Sequence, residues 1–266
     1  MQSAQIGDIA IHYRFAPPKG AAPVIVFINS LGTDFRIWDD VLARLDETAG
    51  TLTYDKRGHG LSGIGATPYT IAGHAADLAG LMDHLGISGA IVCGLSVGGQ
   101  VAQELYFSRP DLVSGLLISN SAAKIGEPDF WRQRIALIAE KGLAATTDGI
   151  MERWFSPGFR TPENPAYQLA RAMFERQPVE GYLATCEAIA AYDRRADTPA
   201  IAVPTAVIVG EHDGSTPPAL VGDFAAAIPG AVFSVIEGAG HIPCMETPGP
   251  VAEALAALAR RVSKGE

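Results

Sequence analysis

The sequence predicts an α/β fold: a mostly parallel central sheet with helices on both faces and an inserted helical cap. Three observations lead there. Continuous apolar runs of buried-strand length recur along the chain, and stretches with apolar residues at helical spacing lie between them. That alternation breaks once, between roughly residues 121 and 198.

Ile9-Ala10-Ile11-His12-Tyr13 follows a Gly7-Asp8 turn and reads as the second arm of a hairpin. Val24 to Ile28 contains only Val, Ile and Phe, as expected of a parallel strand covered on both faces. The signal repeats at Thr51 to Tyr54, Ala90 to Cys93, Gly115 to Ile118, Thr205 to Val209 and Ala231 to Ile236. Ile71, Ala75, Leu78, Leu81 or Met82, and Leu85 share one face of a helix; Val251, Leu255, Leu258 and Val262 share another. Between 121 and 198, helix-like segments rich in Trp, Phe, Arg and Pro replace the strands. The expected division is a core of 1–120 and 199–266 and a helical cap of 121–198, inserted after the sixth strand. Such a cap closes over the carboxyl edge, where open α/β sheets bind ligands. Phe130, Trp131, Trp154, Phe155, Phe159 and Phe174 all fall in it, and most of them read as its own core.

With 266 residues and 48% hydrophobic content, the chain buries a full core. Its net charge of −9, with the acidic residues scattered, argues against a nucleic-acid surface. An anionic substrate would therefore need a local basic group. The N-terminus lacks the charged start and apolar run of a leader, and no apolar stretch reaches about 18 residues, so no membrane partner is expected. Three cysteines without C-x-x-C spacing fit a reducing compartment, and a cytoplasmic protein is the expectation. No metal site is expected, and the oligomeric state stays open.

Gly94-Leu95-Ser96-Val97-Gly98 carries the most chemistry. It lies between the run Ala90 to Cys93 and a helix-like stretch, so one serine sits on a strand-to-helix elbow. Such a turn lifts the hydroxyl clear of the backbone, and glycines at 94, 98 and 99 relieve clashes between helix and strand. The Val97 N–H at the helix start points toward charge developing on an oxyanion. A dinucleotide reading of these glycines fails, because Ser96 stands where G-x-G-x-x-G needs its second glycine. Asp213 follows the strand ending at Val209, where a carboxylate can orient an imidazole; it also reads as a helix cap, although Thr216 fills that role better. His241, flanked by Gly238 and Gly240, comes after both, giving the order Ser, Asp, His. His212 adjoins Asp213 but cannot easily face it; His12, His59, His74 and His84 read as structural or surface groups. Asn29-Ser30-Leu31-Gly32-Thr33 ends an early strand, and Leu31 N–H is a candidate second oxyanion donor, unless this is an ordinary glycine turn. Arg134 falls three residues after Trp131, which sets a cation beside an aromatic wall if the segment is helical; both also read as structural.

Together with Tyr54-Asp55-Lys56-Arg57-Gly58-His59-Gly60-Leu61-Ser62, these residues resemble the α/β-hydrolase superfamily over nearly the whole chain. Asn29 to Thr33, Asn120 to Gly126, Trp131 to Ile135 and Arg153-Trp154-Phe155 narrow the resemblance to its 3-oxoadipate enol-lactonase family. The His-Gly start of many relatives is replaced here, which leaves side-chain roles for Asn29 and Ser30 open. The resemblance implies an α/β-hydrolase fold, Ser96, Asp213 and His241 as catalytic residues, and Leu31 and Val97 as oxyanion donors. It implies a small lactone carrying a carboxylate as substrate and no cofactor. A carboxylesterase, a cofactor-free haloperoxidase-like enzyme, a carbon–carbon bond hydrolase and a non-catalytic binding protein are the alternatives.

Overall fold

The computed structural model describes residues 1–265, in which eight strands form one sheet. They are β1 (Gln2–Ile6), β2 (Ile9–Ala16), β3 (Val24–Ile28), β4 (Gly50–Tyr54), β5 (Ala90–Leu95), β6 (Val113–Ser119), β7 (Thr205–Gly210) and β8 (Val232–Ile236). Their order across the sheet is β1-β2-β4-β3-β5-β6-β7-β8, and β2 pairs antiparallel with both neighbours while β3 to β8 pair in parallel. The chain starts the parallel part at β3, adds β4 on one side, then crosses to add β5 on the other. This order reversal opens a crevice beyond the carboxyl ends of β3 and β5, the usual ligand position in such sheets.

Apolar side chains on both faces of the central strands require cover on both sides. Val26, Phe27 and Ile28 of β3 and Ile91, Val92 and Cys93 of β5 are fully buried. Helices α2 (Ile71–Leu85) and α3 (Val97–Ser108) pack together on one face, and α1 (Asp39–Leu42) and α10 (Pro248–Lys264) on the other. Thr70 starts α2 by accepting from Gly73 N–H, and Gly86 ends it with a left-handed φ of 67°. No described helix is long and apolar enough to cross a membrane.

Between β6 and β7 lie α4 (Pro128–Lys141), α5 (Thr147–Trp154), α6 (Pro165–Glu175) and α7 (Val179–Ala191), with no strand among the described residues there. Phe155 and Phe174 are buried in contact with other rings of this segment, as the apolar reading of its aromatics expects. After β7 come α8 (Pro218–Ala226) and α9 (Pro243–Glu246). The expectation that Thr216 caps the next helix is not met. Pro217 holds the N-cap position of α8 with no side-chain cap bond, and the Thr216 hydroxyl instead lies 2.7 Å from Asp213 Oδ2 and 2.8 Å from the Asn120 carbonyl oxygen, two acceptors for its one proton. Prolines at 217 and 218 leave few first-turn amides to cap, whereas a buried carboxylate is a strong acceptor.

Candidate active site

Ser96 sits at the β5–α3 junction with φ 58° and ψ −118°, a region that L-residues with a side chain rarely adopt. The glycines around it explain how the backbone tolerates this. A Cβ on Gly94 would lie 2.2 Å from the Gly98 carbonyl oxygen, and one on Gly98 would lie 2.2 Å from that of Ile28. Helix and strand therefore touch backbone to backbone. Ser96 N–H donates to Ser119 O at 2.9 Å, and Ser121 Oγ donates to Ser96 O at 2.6 Å, so β6 braces the turn from the side.

The structure brings Asp213 and His241 together at the ends of β7 and β8. Asp213 Oδ2 lies 2.8 Å from His241 Nδ1 and accepts from Asn120 Nδ2 at 2.8 Å and from Thr216 Oγ1. Its Oδ1 accepts from the Ser215 and Thr216 amides at 2.7 and 2.8 Å. Burial works to raise the Asp213 pKa, but the neighbouring His241 and this set of donors outweigh it and hold the carboxyl below its ordinary value. Asp213 is thus both an Asx-type turn residue and the imidazole's partner. His212, the sequence rival, points to Glu211 on the half-exposed side of the loop.

Ser96 and His241 line one small cavity of about 30 Å³ together with Leu31, Trp131, Arg134 and Arg153. Leu31 follows β3, and Val97 opens α3 fully buried beside Ser96. Among the described residues, neither the Leu31 nor the Val97 amide donates to a protein acceptor. Buried amides without partners are rare, so both are available to an incoming oxygen. A larger cleft of about 1010 Å³ runs between β2 and α6 and holds His12 and Asp55, 2.8 Å apart. The nearby Ser62 hydroxyl already donates to Asp55 O and accepts from His12 N–H, which leaves that pair no free nucleophile.

Trp131 and Arg134 do share a face of α4, with the guanidinium carbon 5.5 Å from the indole centroid. Arg134 Nη2 donates to the Tyr182 hydroxyl, and Trp131 Nε1 donates to Ile125 O at 2.7 Å. Arg153, from α5, lies over the Phe130 ring at 5.0 Å. Burial and the nearby Arg134 charge lower its pKa, against attraction from Asp213. The Nε atoms of both arginines are buried without a hydrogen-bond partner, and among the described residues neither arginine is ion-paired.

Three contributors were given no role in the sequence, although Asn120 and Arg153 stand in segments that carry the family resemblance. Asn120 has φ 51° and reaches Asp213 from the end of β6. Arg153 gave no periodic signal. Glu246, in α9, accepts from Gly240 N–H at 2.8 Å and Ser156 N–H at 3.1 Å, tying the His241 loop to the segment after α5.

Residues 25–254 match the sequence profile described as "Alpha/beta hydrolase family". The chain is 33% identical over 254 residues to 3-oxoadipate enol-lactonase 2 of Acinetobacter baylyi, covering 96% of this chain and 94% of that one. Its fold is similar to the crystal structure of the enol-lactonase from Burkholderia xenovorans LB400, with a TM-score of 0.92 and 36% identity over 97% of this chain and 99% of that one. A malate-bound thermophilic esterase from Thermogutta terrifontis is similar too, at a TM-score of 0.90 and 26% identity, covering 98% and 99% of the two chains. The profile, the identity to enol-lactonases across nearly the full length, and the eight-stranded sheet agree, and the chain belongs to the alpha/beta hydrolase family.

Proposed function

We propose that this hydrolase opens 3-oxoadipate enol-lactone to 3-oxoadipate through an acyl-enzyme on Ser96. The observation that carries the substrate class is the pair of guanidiniums without a carboxylate partner among the described residues, Arg134 and Arg153, on the cavity that holds Ser96 and His241. In a chain of net charge −9, two uncompensated cations at one cavity fit a substrate carboxylate held beside the reacting ring. The similarity to enol-lactonases supports the same reading.

In this mechanism Ser96 Oγ attacks the lactone carbonyl while His241 Nε2 takes its proton. Asp213, on Nδ1, fixes the tautomer and stabilises the imidazolium. Leu31 and Val97 N–H receive the oxyanion. The ring C–O bond then breaks, His241 returns the proton to the departing enol oxygen, and the enol tautomerises to a ketone. Water, deprotonated by His241, releases the acid and restores Ser96. Nucleophile, base and oxyanion donors complete these steps without a cofactor. The 121–198 segment acts as the cap, with Trp131 and Arg134 contacting substrate. The reading assigns the reaction to bacterial breakdown of aromatic compounds in the cytoplasm, along the β-ketoadipate route.

The test compares enol-lactone with a neutral phenyl ester. Arg134→Ala is expected to lower kcat/KM for the enol-lactone about tenfold or more, as for losing a charge-assisted pair of about 1.5–3 kcal/mol, with a much smaller loss on the ester. Equal losses on both substrates would mean a damaged cap, and no loss would remove Arg134 from the site.

A further inference from the structure

Lys56 is a buried cation that the mechanism above does not use. It is 1% exposed, and its ammonium donates to the Ser30 carbonyl oxygen at 2.8 Å. Among the described residues it forms no ion pair in contact with a carboxylate. Burial pushes its pKa down to about 7, against attraction from Asp55 and Asp34. An aliphatic side chain would fill this space without that desolvation, so what the nitrogen supplies is a donor at one carbonyl.

The register of the sheet explains the meeting. Ile28 of β3 pairs with Tyr54 of β4 in parallel, so the residues two positions further on, Ser30 and Lys56, leave the sheet side by side. The Ser30 carbonyl belongs to the same peptide group as the Leu31 amide. Among the described residues the only cis peptide is Thr67–Pro68, so this group is trans, and its C=O and N–H point in opposite directions across a rigid plane. Thr33 Oγ1 also donates to Ser30 O, at 2.9 Å. The oxygen is thus anchored on the buried side by two side-chain donors, and the opposite N–H belongs to a residue that lines the Ser96 cavity and finds no protein acceptor.

We infer that Lys56 is a positioning residue for the oxyanion site: its hydrogen bond to the Ser30 carbonyl fixes the Ser30–Leu31 peptide plane and holds Leu31 N–H toward the Ser96 cavity. Donation to the carbonyl also polarises the amide, which strengthens the N–H as a donor. The inference rests on the reading of Leu31 as an oxyanion donor. Because the donated bond matters most when negative charge develops on the substrate oxygen, its loss should act on turnover and leave ground-state binding alone.

The experiment uses a neutral p-nitrophenyl ester, so that it stands whichever lactone is the natural substrate. For Lys56→Met, kcat, KM, inhibition by an alkyl boronic acid and inhibition by adipate are measured against the wild-type protein, with folding checked by circular dichroism. A boronate joined to Ser96 presents a tetrahedral oxygen to the oxyanion donors, whereas adipate binds without one. The expected result is a kcat lowered about tenfold or more and a boronate Ki raised by a similar factor, with KM and the adipate Ki within about twofold. Unchanged kcat and boronate Ki, or a uniform loss across all four quantities, overturns the proposal. If Lys56→Met does not fold, Thr33→Val decides: removing the second side-chain donor to Ser30 O should give the same selective loss, about threefold, and no effect overturns it. Ser96→Ala is run alongside. Retained esterase turnover there would defeat the serine-hydrolase reading itself, an outcome distinct from any result at Lys56.

Discussion

At Ser96 the backbone stores strain that the rest of the junction has to sustain, with φ 58° in a residue carrying a side chain. On the proposed mechanism the hydroxyl, the imidazole and the carboxylate act as one unit, so their losses should not add. Ser96→Ala and His241→Ala are each expected to lower turnover by several orders of magnitude, and the double variant should be little worse than either. Asp213→Asn should be nearly as damaging, because an amide in place of the Oδ2 acceptor would favour the wrong imidazole tautomer. Steady-state rates on any turned-over ester check this, and near-normal turnover in His241→Ala with an intact fold would refute the assignment. These three positions could be proposed from the sequence because each follows an apolar strand in a fixed order. Asn120 and Arg153 entered only through the family resemblance and with no role, since what brings them to the candidate site is proximity to residues far along the chain: 93 positions separate Asn120 from Asp213.

The strand-to-helix element depends on Gly98 for a geometric reason: the Ile28 carbonyl sits where its Cβ would be. Gly98→Ala must push α3 off β3 and should cost about 1–3 kcal/mol or more, read as a fall in the urea midpoint together with slower labelling of Ser96 by a phosphonate. An unchanged midpoint would mean that the junction yields easily. A second element-level link runs through the end of α5. Arg153 O accepts from Gly214 N–H at 3.2 Å and Trp154 O from His241 N–H at 2.7 Å, so one helix terminus holds the Asp213 loop and the His241 loop at once. The orphan carbonyls of a helix end are thereby used to align the site. The helical character of 121–198 was legible from its composition and broken alternation. This fastening was not, because backbone hydrogen bonds between loops leave no residue-type signature.

Across the whole molecule, buried histidines make stability depend on pH. Burial, together with the Lys56 and Arg57 charges, pushes the His74 pKa down to about 3, and burial with the Lys56 charge lowers that of His59 as well. An unfolded histidine binds a proton near pH 6.5, so below that value the unfolded chain holds protons that the folded chain refuses. Their contribution is present in full above about 6.5 and drains away as pH falls toward the folded value, by up to about 1.4 kcal/mol per pH unit for each group. Urea unfolding at pH 7 and pH 5 should show this loss, and His74→Gln should flatten the slope by roughly one proton; an unaltered slope would mean that His74 is protonated in the folded state. The alternation of strands and helices announced the parallel sheet, but not that β4 and β5 flank β3, because pairing order depends on which edges meet in space. That order has a temporal side. Leu31, Ser96, Asp213 and His241 stand beyond β3, β5, β7 and β8, at sequence positions spread over most of the chain. No short contiguous fragment holds these four residues, so regained turnover would report the assembled sheet from β3 to β8 rather than the first appearance of secondary structure.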